Sequence, residues 1–301
     1  MLLLLIPGGA VTTPDFASSI VQSDAPSATT PLLEIAAATH AGPRRTNADA
    51  YLIDEAAGLF AVADGVGDTA RSHLVAQMAL EAVRELFGIP WSLLPFGARS
   101  TTQAAERLVL GLLQANARLH ARRRAEGQRT AATFAGVVVC PDRICVGHAG
   151  DSRVYLLRRA TGRLTKLTED HTLLSEALWR GVPCDAAAEM ADGHVLTRAV
   201  GTRSKLEVQP IVTGWAPGDV ALLCTDGVSD RVEAGAIGRT LLAHDDLGEA
   251  AQDLVDSAIQ RGGQDNATAL CVRWARGDDD DDGTGAVTQP AVGGDRRRGE
   301  S

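Results

Sequence analysis

The sequence predicts an α+β fold in which packed antiparallel β-sheets carry α-helices on their outer sides. Strand-like stretches come in groups, whereas a doubly wound parallel sheet would alternate one strand with one helix. Hydrophobic residues make up 45% of the 301 residues but aromatic residues only 4%, so the core must be built from Leu, Val, Ile and Ala. No Pro/Gly-rich linker interrupts residues 32–276, and we expect a single folded domain there.

Both ends of the chain are predicted to lie outside this domain. Residues 1–31 are rich in Pro, Ser, Thr, Gly and Ala without periodicity, which predicts an unstructured leader. Residues 277–301 contain the run Asp278 to Asp282, which predicts a disordered acidic tail. The apolar start MLLLLI has no basic segment before it and is too short to cross a membrane, so neither a signal peptide nor a membrane span is predicted.

Within the domain, periodicity and composition predict the order of the elements. LLEIAAATH, AYLID and GLFAVA are strand-like. Apolar residues at every fourth position from Leu74 predict an amphipathic helix in LVAQMALEAVRELF. In AAERLVLGLLQANARLHARRR, a second predicted helix, Leu108, Leu112 and Leu119 share one face. Strands TFAGVVVC, RICVGHAG and SRVYLLRR follow, and then strands DVALLCT and ATALCVRW with helices AGAIGRTLLAH and GEAAQDLVDSAIQ between them.

Charge and cysteine usage narrow the class of protein. The formal net charge of −9 argues against non-specific nucleic-acid binding, which needs clustered Lys and Arg. The five cysteines form no Cys-x-x-Cys pair, so buried free thiols are favoured over a disulfide framework or a zinc site. We therefore expect a cytoplasmic protein with no nucleic-acid or membrane partner.

Four acidic residues stand where predicted strands begin or end. Asp64 follows GLFAVA, Asp226 follows DVALLCT, Asp265 precedes ATALCVRW, and Asp49 leads into AYLID. Taken singly, each is also typical of a turn or a helix cap. Asp64-Gly65 matches a hairpin turn as well, but a helix follows it and not a second strand.

Carboxylates that converge at one end of a core would repel one another and raise each other's pKa, and a bound dication removes that repulsion. Oxygen donors favour Mg²⁺ or Mn²⁺ over zinc or copper. Two such ions, roughly 3.5–4 Å apart, can share a bridging hydroxide that attacks phosphorus in line. Gly65 has no Cβ, so its carbonyl can approach an ion closely. The leading interpretation is hydrolysis at a binuclear metal centre.

Eight ordered motifs carry a resemblance to a known family: GPRRTNADA, LFAVADGVGD, GQRTAATFAGVVV, VGHAGDSRVYLLR, LTEDHTLL, LTRAVGT, PGDVALLCTDGVSD and GGQDNATAL. Across residues 34–274 the chain resembles the metal-dependent serine/threonine protein phosphatases of the PP2C (PPM) family, in the short bacterial form. The resemblance implies a central antiparallel β-sandwich flanked by helices in four layers, with a dinuclear Mg²⁺ or Mn²⁺ centre at one end. It also implies phosphorylated protein substrates of a serine/threonine kinase.

Matched by position, the resemblance assigns the site residues. Asp64 corresponds to the acid that bridges the two metals, and Gly65 supplies a carbonyl. Asp49, Asp226 and Asp265 correspond to the other acids of the centre.

Three further positions receive roles from the same resemblance. Arg44 corresponds to the arginine that clamps the substrate phosphate, a role that suits its planar fork. Asp151 and Asp230 correspond to acids of a weaker third metal site, although AGDSR around Asp151 is equally typical of a tight turn between strands.

The chain departs from the family pattern in three places. Ala48 stands where an acid is usual, which implies weaker metal binding. After Asp64-Gly65 the chain has Val66-Gly67-Asp68 where many bacterial members have Met-Gly-Gly, and Asp68 either adds negative charge near the centre or caps the next helix. The histidine that some relatives carry there is absent, and His148 and His171 are expected to be structural.

Two other functions compete with an active phosphatase. A degenerate phosphatase fold could bind phosphoproteins without hydrolysing them, and Ala48 supports that interpretation. A calcium- or magnesium-binding regulatory domain could use the acids for stability alone, but it gives no role to Arg44 beside them.

Overall fold

The computed structural model describes residues 32–67, 71–88, 100–126 and 130–275. The predicted leader 1–31, the predicted acidic tail 277–301 and Asp68 lie outside these ranges. None of the described helices is both long enough and apolar enough to cross a membrane.

Within the described residues the chain forms ten strands and seven helices. The strands are β1 (Leu33–His40), β2 (Asp49–Asp54), β3 (Leu59–Asp64), β4 (Phe134–Val139), β5 (Arg143–Ala149), β6 (Arg153–Arg158), β7 (Arg163–Lys166), β8 (Ile211–Gly214), β9 (Val220–Cys224) and β10 (Ala267–Trp274). The helices are α1 (Ser72–Phe87), α2 (Thr101–Glu126), α3 (Leu173–Trp179), α4 (Cys184–Ala188), α5 (Asp226–Ser229), α6 (Ala234–Ala243) and α7 (Leu247–Gln260). Strands β7 and β8 and helices α3 to α5 are additions to the elements expected from the sequence.

Two five-stranded sheets form the centre of the domain, with strand orders β1-β10-β9-β6-β7 and β2-β3-β4-β5-β8. Neighbouring strands in both sheets run antiparallel. Aliphatic side chains such as Val62, Val146 and Leu223 pack between the sheets. Helices α1 and α2 cover the second sheet, while α6 and α7 cover the first. The predicted α+β architecture, a β-sandwich flanked by helices, is confirmed.

The buried faces of the two long helices agree only in part with the sequence pattern. Leu108, Leu112 and Leu119 of α2 are fully buried, as expected. Leu74 of α1 is 49% exposed, so the predicted apolar face of α1 is wrong at that position. The inward face of α1 instead includes Val75, Ala79 and Leu80, and α1 packs so closely on α2 that a Cβ at Gly111 would lie 3.0 Å from Val83 Cγ1.

All five cysteines lie in the described part of the chain, and each is a free thiol. Four are buried, and Cys184 at the start of α4 is exposed. Buried free thiols, as the sequence predicts, are thus found at four positions and not at Cys184.

Candidate metal centre

Asp49 and Asp64 face each other across two neighbouring strands. In the antiparallel pairing of β2 with β3, Asp49 is the direct partner of Asp64. Like charges directly opposite in a sheet are destabilising. The strand pattern alone thus brings two of the predicted ligands together.

Asp49 is a buried carboxylate held by two threonines of the opposite sheet. Its Oδ2 accepts hydrogen bonds from Thr225 Oγ1 at 2.8 Å and Thr268 Oγ1 at 2.7 Å. Burial raises the pKa of Asp49 to about 6, although the two hydroxyl bonds favour the ionised form. These bonds fix the carboxylate between the two sheets.

Asp64 is the last residue of β3, and both its main-chain N–H and its main-chain carbonyl form hydrogen bonds. Its N–H donates to Thr133 Oγ1 at 2.8 Å, and its carbonyl accepts from the Thr133 N–H at 2.8 Å. Burial, followed by the negative charges of Asp49, Asp265 and Asp151, raises the pKa of Asp64 well above its usual range. The repulsion expected from the sequence is therefore present at this residue.

Asp226 occupies the equivalent position in the other sheet, at the first residue of α5 directly after β9. It is half-buried, and its pKa is raised by desolvation and then by the charges of Asp151, Asp64, Asp230 and Asp49. Asp226 and Asp64 therefore share one negatively charged region.

The glycine that follows each of these acids is required by close backbone contacts. A Cβ at Gly65 would collide with the Ser72 carbonyl, and a Cβ at Gly227 would collide with the Asn266 carbonyl. This steric need is independent of any metal contact, so it adds a second reason for the repeated Asp-Gly pair.

Arg44 and Asp265 form an ion pair at the edge of the site. Arg44 Nη2 lies 3.0 Å from Asp265 Oδ2, and Arg44 Nε donates to the Gln264 carbonyl at 2.9 Å. Both side chains are more than one-third exposed. The predicted phosphate ligand thus neutralises one of the predicted metal ligands.

Asn266 is a structural residue of the site that the sequence reasoning missed. Its Oδ1 accepts from the Ala48 N–H at 2.7 Å, and its Nδ2 donates to the carbonyls of Ala41 at 2.8 Å and Thr46 at 3.1 Å. It therefore folds the GPRRTNADA segment against the start of β10. Its place beside Asp265 in GGQDNATAL was the only available signal.

Asp151 and Asp230 lie beside the centre in a different environment. Asp151 follows Gly150, whose φ of 110° makes the tight turn between β5 and β6 that AGDSR predicts. Burial raises the pKa of Asp151 to about 6. Asp230 Oδ1 lies 3.4 Å from Arg153 Nη2.

The two histidines near this turn contact each other. The rings of His148 and His171 stack with centroids 4.6 Å apart and planes at 10°. Burial, with the neighbouring His148 and Arg198, lowers the pKa of His171 to about 3. A neutral, stacked pair of this kind supports the structural role expected for both.

A cavity of about 270 Å³ opens at this end of the sandwich. In the described part of the chain no three His, Cys, Asp or Glu side chains are already arranged to hold a metal ion. The donor set nevertheless fits hard divalent cations, because it consists of carboxylates that burial and mutual repulsion destabilise in the ionised form. The lining residues are Arg44, Thr46, Ala48, Asp64, Gly65, Gly67, Asp265 and Asn266.

Known proteins share this sequence pattern. The family described as protein phosphatase 2C matches residues 38–261. The serine/threonine phosphatase Stp of Listeria monocytogenes is 28% identical over 217 residues, which cover 70% of this chain and 82% of that protein. The resemblance inferred from the eight motifs is therefore confirmed over most of the folded domain.

Solved structures share the fold. The serine/threonine phosphatase PstP/Ppp of Mycobacterium tuberculosis aligns with a TM-score of 0.71 and 26% identity, covering 81% of this chain and 99% of that one. The catalytic domain of PstP in complex with two manganese ions aligns with a TM-score of 0.70 and 28% identity, covering 82% and 100%. With the paired carboxylates and the cavity between the sheets, these matches lead to one conclusion: this chain belongs to the protein phosphatase 2C family.

Proposed function

We propose that the protein is a metal-dependent phosphatase that hydrolyses phosphoserine and phosphothreonine in proteins phosphorylated by a serine/threonine kinase. The observation that carries the proposal is the gathering of mutually repelling carboxylates at one end of the sandwich, where Asp64 and Asp265 line a cavity together with Arg44. The family relationship supports the same activity.

The proposed ligands of two Mn²⁺ or Mg²⁺ ions are Asp49, Asp64, the Gly65 carbonyl, Asp226 and Asp265. Such ions would supply a hydroxide nucleophile at neutral pH and would neutralise the charge of the phosphoryl oxygens. The manganese complex of the PstP catalytic domain supports a pair of ions.

Arg44 is proposed to bind the substrate phosphate. Its guanidinium already contacts one carboxylate and one carbonyl at the edge of the cavity. Two oxygens of a phosphate dianion can accept parallel hydrogen bonds from the planar guanidinium, and the dianion carries a higher charge than a carboxylate. Substrate binding would therefore exchange Asp265 for phosphate as the partner of Arg44, which would leave Asp265 free to act as a ligand.

Asp151 and Asp230 are proposed as ligands of a weaker third ion. Their position beside Asp226 supports this role, because the charge of Asp151 is the largest neighbouring contribution to the raised pKa of Asp226. The partial neutralisation of Asp230 by Arg153 supports a lower affinity than at the main centre.

A phosphoprotein-binding module without catalysis is the alternative, and Ala48 is the position that favours it. Ala48 lines the cavity and carries no ligand atom in its side chain. Its backbone is nevertheless fully used, because its N–H bonds to Asn266 and its carbonyl accepts from the Gly65 N–H at 3.2 Å. The acids proposed as metal ligands are all present in this chain, and they favour hydrolysis over binding alone.

The test is hydrolysis of p-nitrophenyl phosphate and of a phosphothreonine peptide with added Mn²⁺ or Mg²⁺. We expect turnover of both substrates, complete loss with EDTA and little effect of okadaic-acid-type inhibitors. Full turnover in chelator, with a metal content verified as zero, would overturn the proposal. Tight phosphopeptide binding without any turnover would establish the alternative. The buried free thiols support a location in the reducing cytoplasm. The assay is therefore run under reducing conditions.

A further inference from the structure

A tight turn follows Val200, and a buried asparagine of α2 fixes it. Asn116, only 2% exposed, accepts from the Gly201 N–H at 2.8 Å and donates from Nδ2 to the Arg203 carbonyl at 3.0 Å. Gly201 has φ of 91°, and a Cβ there would lie 2.7 Å from the Leu119 Cβ, so the turn has one accessible backbone path. The Arg203 side chain is therefore presented from a rigid support.

This turn lies on the same end of the sandwich as the metal centre. Ala132 forms antiparallel bridges with Gly65 on one side and Val200 on the other. Two strand spacings separate Gly65 from Val200, which corresponds to about 10 Å. With the turn added, we place the exposed part of this surface roughly 15–20 Å from the cavity.

Four cations of this turn and of the adjacent end of α2 form what we call the basic rim: Arg123, Arg124, Arg203 and Lys205. The C-terminal part of α2 contributes the first two, and Arg123 Nη1 donates to the Thr202 carbonyl at 3.4 Å. None of the four makes an ion pair with another residue that the structure describes. Arg124, Arg203 and Lys205 are exposed. In a chain with a formal net charge of −9, an uncompensated group of cations is unusual.

We propose that the basic rim binds an acidic segment of the phosphoprotein substrate, about five residues away from the phosphorylated residue. The spacing follows because an extended peptide advances about 3.3 Å per residue, so five residues cover the gap between cavity and rim. The charge complementarity sets the chemistry of the partner. This inference rests on the proposed phosphatase function and adds a substrate preference to it.

The chain's own acidic run is a poorer occupant. β10 begins beside Asp265 and runs eight residues away from the cavity, to Trp274. Asp282 follows Ala275 by seven residues, which reach at most about 25 Å when fully extended, so the run cannot return past the length of β10 to the rim. Nucleic acid is likewise disfavoured, because four cations release few counterions.

The experiment compares three substrates with three proteins. The substrates are p-nitrophenyl phosphate and two phosphothreonine peptides. One peptide, the Asp peptide, carries Asp at the positions four to six residues from the phosphothreonine on both sides, and the other, the Asn peptide, carries Asn there. The proteins are the wild type, the rim variant Arg203→Glu/Lys205→Glu and a charge-matched control, Arg163→Glu/Arg239→Glu. Arg163 and Arg239 are exposed side chains near the β6–β7 hairpin, at the end of β6 away from Arg153.

We expect the wild type to prefer the Asp peptide in kcat/KM by about three- to tenfold at low salt, as a few exposed charge pairs allow. The preference should disappear in the rim variant and fade at about 0.5 M salt in the wild type. Hydrolysis of p-nitrophenyl phosphate should be unchanged in all three proteins, and the control should keep the preference.

An unchanged preference in the rim variant would overturn the inference while leaving the phosphatase assignment intact. An equal loss on the Asn peptide would also overturn it, since a structural defect does not distinguish the peptides. If single-stranded DNA competed for the basic rim at the same concentration as the Asp peptide does, the rim would be reassigned as a nucleic-acid-binding surface. A wild type inactive on p-nitrophenyl phosphate would refute the function; the rim would then be judged on peptide binding by fluorescence anisotropy, with loss in the rim variant expected.

Discussion

The acids proposed for the third metal site and those proposed for the main centre lie at the same end of the sandwich but differ in the charges beside them. Asp230 lies 3.4 Å from Arg153 Nη2, and the same guanidinium pairs with Asp170 at 2.6 Å. The Asp49 carboxylate, by contrast, accepts hydrogen bonds from two threonine hydroxyls, and Asp64 opposes it directly. Asp230 thus has a cation within the fold, whereas Asp49 and Asp64 form no ion pair among the described residues and depend on a cation from outside. The comparison predicts a strong main centre and a weak third site.

The largest effect should come from the uncompensated group. Asp64→Asn and Asp226→Asn each keep the side-chain volume but remove a ligand charge, so we expect turnover to fall by about a thousandfold or more, as for loss of a main electrostatic element. Without metal, both variants should melt at or above the wild-type temperature, because a destabilising charge is gone. Steady-state kinetics and thermal melting in EDTA measure the two effects.

Asp142→Asn is the matched control, since Asp142 is an exposed acid at the opposite end of β5. It should retain wild-type activity. Near-wild-type rates in both Asp64 and Asp226 variants would show that these acids are turn residues only.

The next effect concerns Arg44, which compensates Asp265 in the structure and is proposed to move to phosphate. Arg44→Ala removes charge-assisted bonds worth roughly 1.5–3 kcal/mol, so kcat/KM should fall about ten- to a hundredfold. Manganese affinity, measured by calorimetry, should not fall, because the loss of Arg44 leaves Asp265 without its ion-pair partner.

Arg45→Ala is the paired control, because Arg45 is exposed and lies outside the cavity lining. If Arg45→Ala were damaging and Arg44→Ala silent, the register of the first motif would be wrong by one residue, and Asp49 would need reassignment.

A smaller effect is expected at the compensated group. Asp230→Asn should lower kcat only about two- to fivefold at saturating Mn²⁺, since an exposed and already paired charge contributes little. A titration of activity against Mn²⁺ should show loss of a weak phase with the tight phase intact. A loss as large as for Asp64→Asn would contradict the distinction between the two groups.

The smallest effect is a pH dependence of the metal-free protein. The pKa values of Asp49 and Asp151 are raised to about 6, above the value of 3.8 for an unperturbed aspartate. The folded state therefore binds protons more tightly than the unfolded chain, and stability is gained as pH falls from about 7 towards 4. In EDTA the melting temperature should rise by about 5 °C between pH 7.5 and 5.

Manganese should reverse that trend, because protons compete with the metal for the same carboxylates. A metal-free melting temperature that falls steadily over this pH range would contradict the raised pKa values of Asp49 and Asp151.

Much of the site could be predicted because its acids lie at strand ends, where the alternation of apolar and polar residues stops. The pairing of Asp49 with Asp64 follows from two adjacent strands in one hairpin. The ion pair of Arg44 with Asp265 could not be predicted from the pattern, since it joins residues 221 positions apart. The inward face of α1 was also mispredicted at Leu74, because buried residues such as Val75 and Ala79 lie outside the four-residue spacing counted from Leu74.

The hydrogen bonds of Asn116 and Asn266 were equally hidden from the sequence. An asparagine in a helix or beside a strand is typical of an exposed polar residue or a turn. The side-chain amides of both asparagines instead form hydrogen bonds with backbone groups that are distant in the sequence, and only the tertiary structure shows which groups those are.

The hydrogen bond from Thr268 to Asp49 spans 219 positions and has a consequence for biosynthesis. A ribosome that adds about 5–20 residues per second needs roughly 10–40 s to travel from one partner to the other. During that interval Asp49 lacks the strand that encloses it, and closing so long a loop is among the slower steps of folding. The nascent enzyme therefore stays inactive until nearly its last strand has emerged and docked between β1 and β9.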